Sequence, residues 1–85
     1  MLEKIKLNLI ISLSGAEKYH KDFVLCLKLI EERRFEELLE IIGSIMHKEC
    51  KVSKLDRFKG FYDLAAIKGE IVKYIEQLDY EPEEI

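Results

Sequence analysis

The stretch KIKLNLIISLS, Lys4–Ser14, decides the fold, because it admits two readings with opposite consequences. Ile5, Leu7, Leu9, Ile11 and Leu13 alternate with Lys4, Lys6, Asn8, Ser12 and Ser14, and only Ile10 breaks the pattern. Period-two alternation marks a strand with one face buried. A strand needs partners for its backbone N–H and C=O groups. The rest of the chain reads as helix and offers none. On this reading the partner is another molecule, to whose sheet edge the strand adds. The competing reading is a short helix with Leu2, Ile5, Leu9 and Leu13 on one side. That helix scatters Leu7, Ile10 and Ile11 around the cylinder, so the strand is the favoured reading.

Beyond this arm the pattern is helical. Ser14-Gly15-Ala16-Glu17 has the form of a capping box, in which the Ser hydroxyl accepts an orphan N–H and Glu17 reaches back. A first helix is predicted from Gly15 to Glu32, with Ala16, Phe23, Leu27 and Ile30 at helical spacing. Glu31–Arg34 is a charged break without Gly or Pro, so a single helix from Gly15 to Cys50 is the alternative. A second helix is predicted over Phe35–Cys50, with Phe35, Leu38, Leu39, Ile42, Ile45 and Met46 on one stripe. Ser53-Lys54-Leu55-Asp56 gives a second cap pattern, opening a third helix from Lys54 to Asp79. The expected fold is mainly α: a small three-helix bundle over residues 15–79, an extended N-terminal arm over 1–14 (strand or short helix), and an acidic tail over 80–85.

The third helix carries two apolar stripes. Phe61, Leu64, Ile71, Ile75 and Leu78 form one; Leu55, Phe58, Tyr62, Ala65, Gly69 and Val72 form the other. A surface helix needs an apolar arc of about 100°, and this arc is about twice that. Two further helices can cover one stripe but hardly both. Ala65 and Gly69 leave a shallow place where another backbone can approach, which would compensate the ~1 kcal/mol that a mid-helix Gly costs against Ala.

Bulk composition narrows the function classes. The chain has 85 residues, one small domain, of which 48% are hydrophobic and 36% charged. A chain of this size buries roughly 60–65% of its unfolded surface, so its core is marginal and oligomerisation helps it. A net charge of −3 argues against general coating of nucleic acid. Cys26 and Cys50 are too few for a disulfide scaffold, and both read as reduced, intracellular thiols. The uncharged run Leu7–Ala16 falls short of the ~20 residues that cross a bilayer. Lys4 and Lys6 precede an apolar run as in a signal peptide, but its removal would leave a core too poor to fold.

Chemistry is thinly represented. His47 and Cys50, three apart, share a helix face, but a zinc site needs about four ligands. The same pair has the residue types of a Cys–His nucleophile without a Gly-rich oxyanion loop. Neither supports a metal, a cofactor or a catalytic residue, and the chain reads as a non-enzyme. Lys48, Lys51, Lys54, Arg57 and Lys59 stand against two acids, Glu49 and Asp56, a local excess of three positive charges. A helix–turn–helix DNA reader looks locally similar, but the connector lacks Gly. Glu31–Glu40 holds five acids against two Arg, so the charge is segregated along the chain. Such segregation orients partners more than it strengthens binding.

Two segments, LIEERRFEELLEII at Leu29–Ile42 and LDRFKGFYDLAAIKGEIVKYIEQL at Leu55–Leu78, resemble small uncharacterised helical proteins encoded among the structural genes of tailed bacteriophages. In that group a Gly of the last helix precedes an amphipathic run, as Gly60 does here. The resemblance implies a virion or assembly component that binds neighbours in a symmetric particle; it implies no catalytic residue. The expected function is therefore protein–protein association, with itself or a neighbouring structural protein and without membrane or small-molecule substrate. Leu7, Leu9 and Ile11 would carry the arm contact, and Tyr62, Ala65, Gly69 and Val72 the helix contact. The alternative is a small DNA-binding regulator using Lys48, Lys51, Lys54, Arg57 and Lys59.

Overall fold

Lys4–Ser14 folds as a helix and not as an extended arm: α1 spans Leu2–Leu13. The computed structural model describes the backbone of residues 2–80 and the side chains of residues 2–78. Three more helices follow, α2 (His20–Glu31), α3 (Phe35–Cys50) and α4 (Phe61–Tyr80), with 3-10 turns at Glu17–Tyr19 and Lys54–Asp56. No strand occurs among the described residues. The acidic tail falls outside them, apart from the backbone of Tyr80.

The helix wins in α1 because its burial follows the 3.6-residue period. Ile5, Leu9, Ser12 and Leu13 are buried together, while Leu7 and Ile11 face solvent on the opposite side. A helix also satisfies its own backbone groups, which an unpaired strand cannot do. The alternation was a by-product of two helical faces, both apolar.

The expected three-helix domain thus becomes four helices, with α1 recruited into the core. Each helix packs on the two beside it, α1 on α2 and α4, and α3 on α2 and α4. The helices run up and down. Asn8 meets Glu70 while Ser12 meets Gly60, so α1 and α4 are antiparallel. Lys6 reaches Glu31 across the α1–α2 pair. The core between them holds Ile5, Leu9 and Leu13 of α1, Cys26, Leu29 and Ile30 of α2, Leu38, Ile42 and Ile45 of α3, and Leu64, Ile67 and Ile71 of α4.

Two predicted helix starts move. The Ser14 capping box does not form: α2 begins at His20, and no side chain caps the 3-10 turn before it. The long third helix is split. Ser53 does cap, accepting from the N–H of Leu55, but only a 3-10 turn follows, and α4 begins at Phe61. Gly60 lies in the connection ahead of α4, where it permits a backbone crossing. A Cβ there would stand 1.9 Å from the carbonyl oxygen of Ser12. The Ser12 hydroxyl closes this crossing by donating to the Gly60 carbonyl at 2.7 Å.

The charged break at Glu31–Arg34 is a turn, and α2 and α3 are separate helices. Arg33 takes φ of 60°. Its N–H bonds to Ile30 O and that of Arg34 to Leu29 O, the paired closure of a Schellman ending. Arginine fills the position that glycine usually takes.

Candidate functional site

The outer face of α1 presents Leu7 and Ile11, one turn apart and 55% and 65% exposed. Lys4 lies on the same side, near Glu70 of α4. Beside Ile11 runs a shallow groove of about 240 Å³ along the α1–α4 seam, lined by Asn8, Ile11, Asp63, Ala66, Ile67 and Glu70. On α4, Phe61, Leu64, Ile67 and Ile71 turn inward, so the second predicted stripe points out. Tyr62, Ala65, Gly69 and Val72 are all exposed. A Cβ at Gly69 would meet nothing within 4 Å, so this face is open.

Six of the seven residues assigned to partner contact therefore reach solvent. Leu9 does not: it is 0% exposed and belongs to the core. Addition of the N-terminal segment to a partner's sheet is likewise withdrawn, because α1 spends its backbone hydrogen bonds within itself. What remains of that idea is an apolar helix face.

The basic segment folds into a pinned turn at one end of the bundle. Lys48, Lys51, Lys54 and Lys59 are exposed, but Arg57 is turned back on its own chain. Its Nε donates to the carbonyls of Glu49 and Val52, both at 3.1 Å, and Nη2 to that of Cys50 at 3.0 Å. These carbonyls lie at the C-terminus of α3 and just after it, where a cation suits; that of Glu49 also accepts from the Val52 N–H. The guanidinium also lies 5.0 Å from the Phe61 ring centroid. Leu55, at the tip of the turn, is 94% exposed.

Glu49 anchors this turn from below. It is fully buried, 0% exposed. Its carboxylate accepts from the Tyr19 hydroxyl at 2.7 Å, the Lys18 ammonium at 3.0 Å and the Phe58 N–H at 3.2 Å. Burial alone would raise its pKa; the three donors outweigh that and hold it below the ordinary carboxylate value. Tyr19 moves the other way, to about 12, through burial and then through its bond to Glu49. Sequence reasoning counted Glu49 only as a charge. The signal was its phase: it follows Ile42 and Ile45 on the buried stripe of α3.

His47 and Cys50 are both exposed, and no group of three or more His, Cys, Asp or Glu able to hold a metal occurs among the described residues. Cys26 is buried, and its thiol is pushed up to about 12 by burial and then by Asp22. No helix among the described residues is long and apolar enough to cross a membrane.

At the far end of the bundle lies a second feature that no pattern in the sequence marks. Arg33, Arg34, Phe35, Glu36, Glu37, Ile75 and Leu78 line an open cleft of about 430 Å³ between the start of α3 and the end of α4. Arg34 is committed within it, paired with Glu32 and Glu37. No family model, curated protein or solved structure matches the chain.

Proposed function

We propose that this protein is a non-enzymatic self-association module whose contact surface is the outer side of α1 and α4. The observation that carries this is the exposure of Leu7 and Ile11 on α1 and of Tyr62 and Val72 on α4, two helices that pack on each other. Singly exposed apolar residues are ordinary; four large ones on two helices packed side by side suit an interface. The small residues Ala65 and Gly69 let a second helix approach closely between the larger side chains. In its most concrete form the module is a component of a tailed-phage particle or of its assembly, which the sequence resemblance supports.

A DNA-binding reading is favoured by one observation, the four exposed lysines at the pinned turn. Two others count against it. Arg57, the best base or phosphate reader of the set, is spent on three carbonyls. The lysines also flank a turn and lie on no single helix face that could enter a groove.

Light scattering on the wild type and on a Leu7→Glu/Ile11→Glu variant tests the proposal, with circular dichroism to show that the variant folds. The wild type is expected to exceed the monomer mass, and the variant to be markedly smaller. Unchanged mass in the variant, or DNA affinity that falls steeply with salt and is lost on Lys51→Glu/Lys54→Glu, would overturn it.

A further inference from the structure

The two ends of the bundle carry opposite charge: residues 48–59 hold five basic residues against two acids, and residues 31–40 five acids against two Arg. At one end Leu55 projects with almost nothing around it, in a turn where exposure does not come from looseness. Ser53 caps the turn, the Asp56 N–H donates to Ser53 O at 2.8 Å, Arg57 holds three carbonyls, and Glu49 holds the Phe58 N–H. A leucine displayed on a fixed backbone has already paid the ordering entropy of binding. Exposed Lys51, Lys54 and Lys59 surround it, with Asp56 the one nearby exposed acid.

The opposite end offers the matching socket. α3 and α4 are antiparallel, so the cleft at the start of α3 and the end of α4 lies at the far end from the turn joining them. Its apolar walls are Phe35, half-buried Ile75 and exposed Leu78. Its rim is acidic. Glu36 and Glu37 open α3, and Glu31–Glu40 holds five acids against Arg33 and Arg34.

We infer that Leu55 of one copy seats in the Phe35–Ile75–Leu78 cleft of a second copy, with Lys51 and Lys54 against Glu36 and its neighbours. This inference rests on the reading of the chain as a self-association module but uses different residues from the α1–α4 face. Because knob and socket occupy opposite ends, the contact is heterologous. Such contacts propagate head to tail into a ring or an open filament and do not stop at a dimer. The lateral face would then bind such rows side by side.

Mixing two half-broken copies tests this, in a Leu7→Glu/Ile11→Glu background that removes the lateral face. Leu55→Glu spoils the knob and leaves the socket; Leu78→Glu does the reverse. Both residues are exposed, so both variants should fold, which thermal unfolding checks. In sedimentation velocity the background protein is expected to form a concentration-dependent series. Each added variant should be monomeric alone, and an equal mixture should form a species of two chains. Lys54→Glu should weaken the junction tenfold or more, and Glu36→Lys on the socket copy should recover most of that loss.

Folded variants that keep the series, or a mixture that stays monomeric, would overturn the inference. So would flotation of monomeric wild type with phosphatidylserine vesicles that depends on Leu55, since the knob would then belong to a membrane surface. A wild type that forms the end-to-end series with a mass unchanged by Leu7→Glu/Ile11→Glu would instead refute only the α1–α4 interface.

Discussion

The Tyr19 hydroxyl donates to the carboxylate of Glu49 across 2.7 Å, in a place where Glu49 has no exposure to water. This bond ties the turn ahead of α2 to the last turn of α3. Through the Phe58 N–H, the same carboxylate holds the connection into α4. Three segments thus depend on one buried charge. Removing the carboxylate leaves the Tyr19 hydroxyl and the Phe58 N–H without their acceptor, which together cost about 3–5 kcal/mol. Glu49→Ala should lower stability by that order, and Tyr19→Phe by about 1–3 kcal/mol, both read from denaturant unfolding.

The same cluster fixes the pH profile. Glu49 has a folded pKa below its unfolded value. The stability it contributes is present above the unfolded value and is lost as pH falls through the folded one. Tyr19 is raised from 10.0 to about 12, so its contribution is full below 10.0 and disappears as pH rises towards about 12. Wild type should therefore lose stability at both extremes, and Tyr19→Phe should remove the alkaline limb due to this residue. Unfolding midpoints followed across pH check both limbs.

At the α2–α3 turn, Arg33 holds φ of 60°. A side chain in this region costs roughly 1–2 kcal/mol that glycine does not bear. Arg33→Gly should stabilise the fold by about 1 kcal/mol, after the extra freedom of glycine in the unfolded chain is subtracted. A rise in the denaturant midpoint with unchanged slope is the expected result.

Gly60 gives the opposite outcome. A methyl there meets backbone atoms of Ser12 at 1.9 to 2.7 Å, and no side chain can rotate away to relieve the clash. Gly60→Ala should cost about 3 kcal/mol by overpacking. Gly69→Ala, where nothing stands within 4 Å, should instead stabilise by up to ~1 kcal/mol. The contrast between these two variants in thermal unfolding separates packing from propensity.

The two cysteines should differ in reactivity. Cys50 is exposed, while Cys26 is buried with its thiol raised to about 12. A thiol reagent should modify Cys50 quickly and Cys26 only after unfolding. Mass spectrometry of the labelled native protein should show one adduct.

Much of this fold was legible in the sequence, and the failures have physical causes. The stripe Phe35–Met46 gave α3 its bounds because its apolar residues are strictly in phase. α1 was misread because a helix apolar on two faces imitates alternation, and choosing between the two required knowing whether a sheet partner exists. The split before α4 has no local signature, because Arg57 and Phe58 end the 3-10 turn through bonds to Glu49, eight and nine positions back in the last turn of α3. The α2–α3 turn was only weakly marked because arginine occupies the position where glycine would have announced it. Exposure on α4 was legible from its excess apolar arc. The socket at the far end was not, since it joins residues some forty positions apart.

Sedimentation equilibrium of the wild-type chain over a wide range of concentration tests the central claim most directly. Average mass should climb with concentration and fall back when Leu7 and Ile11 are both replaced by Glu. A folded protein that keeps the 10.0 kDa mass of one chain at every concentration would contradict the account.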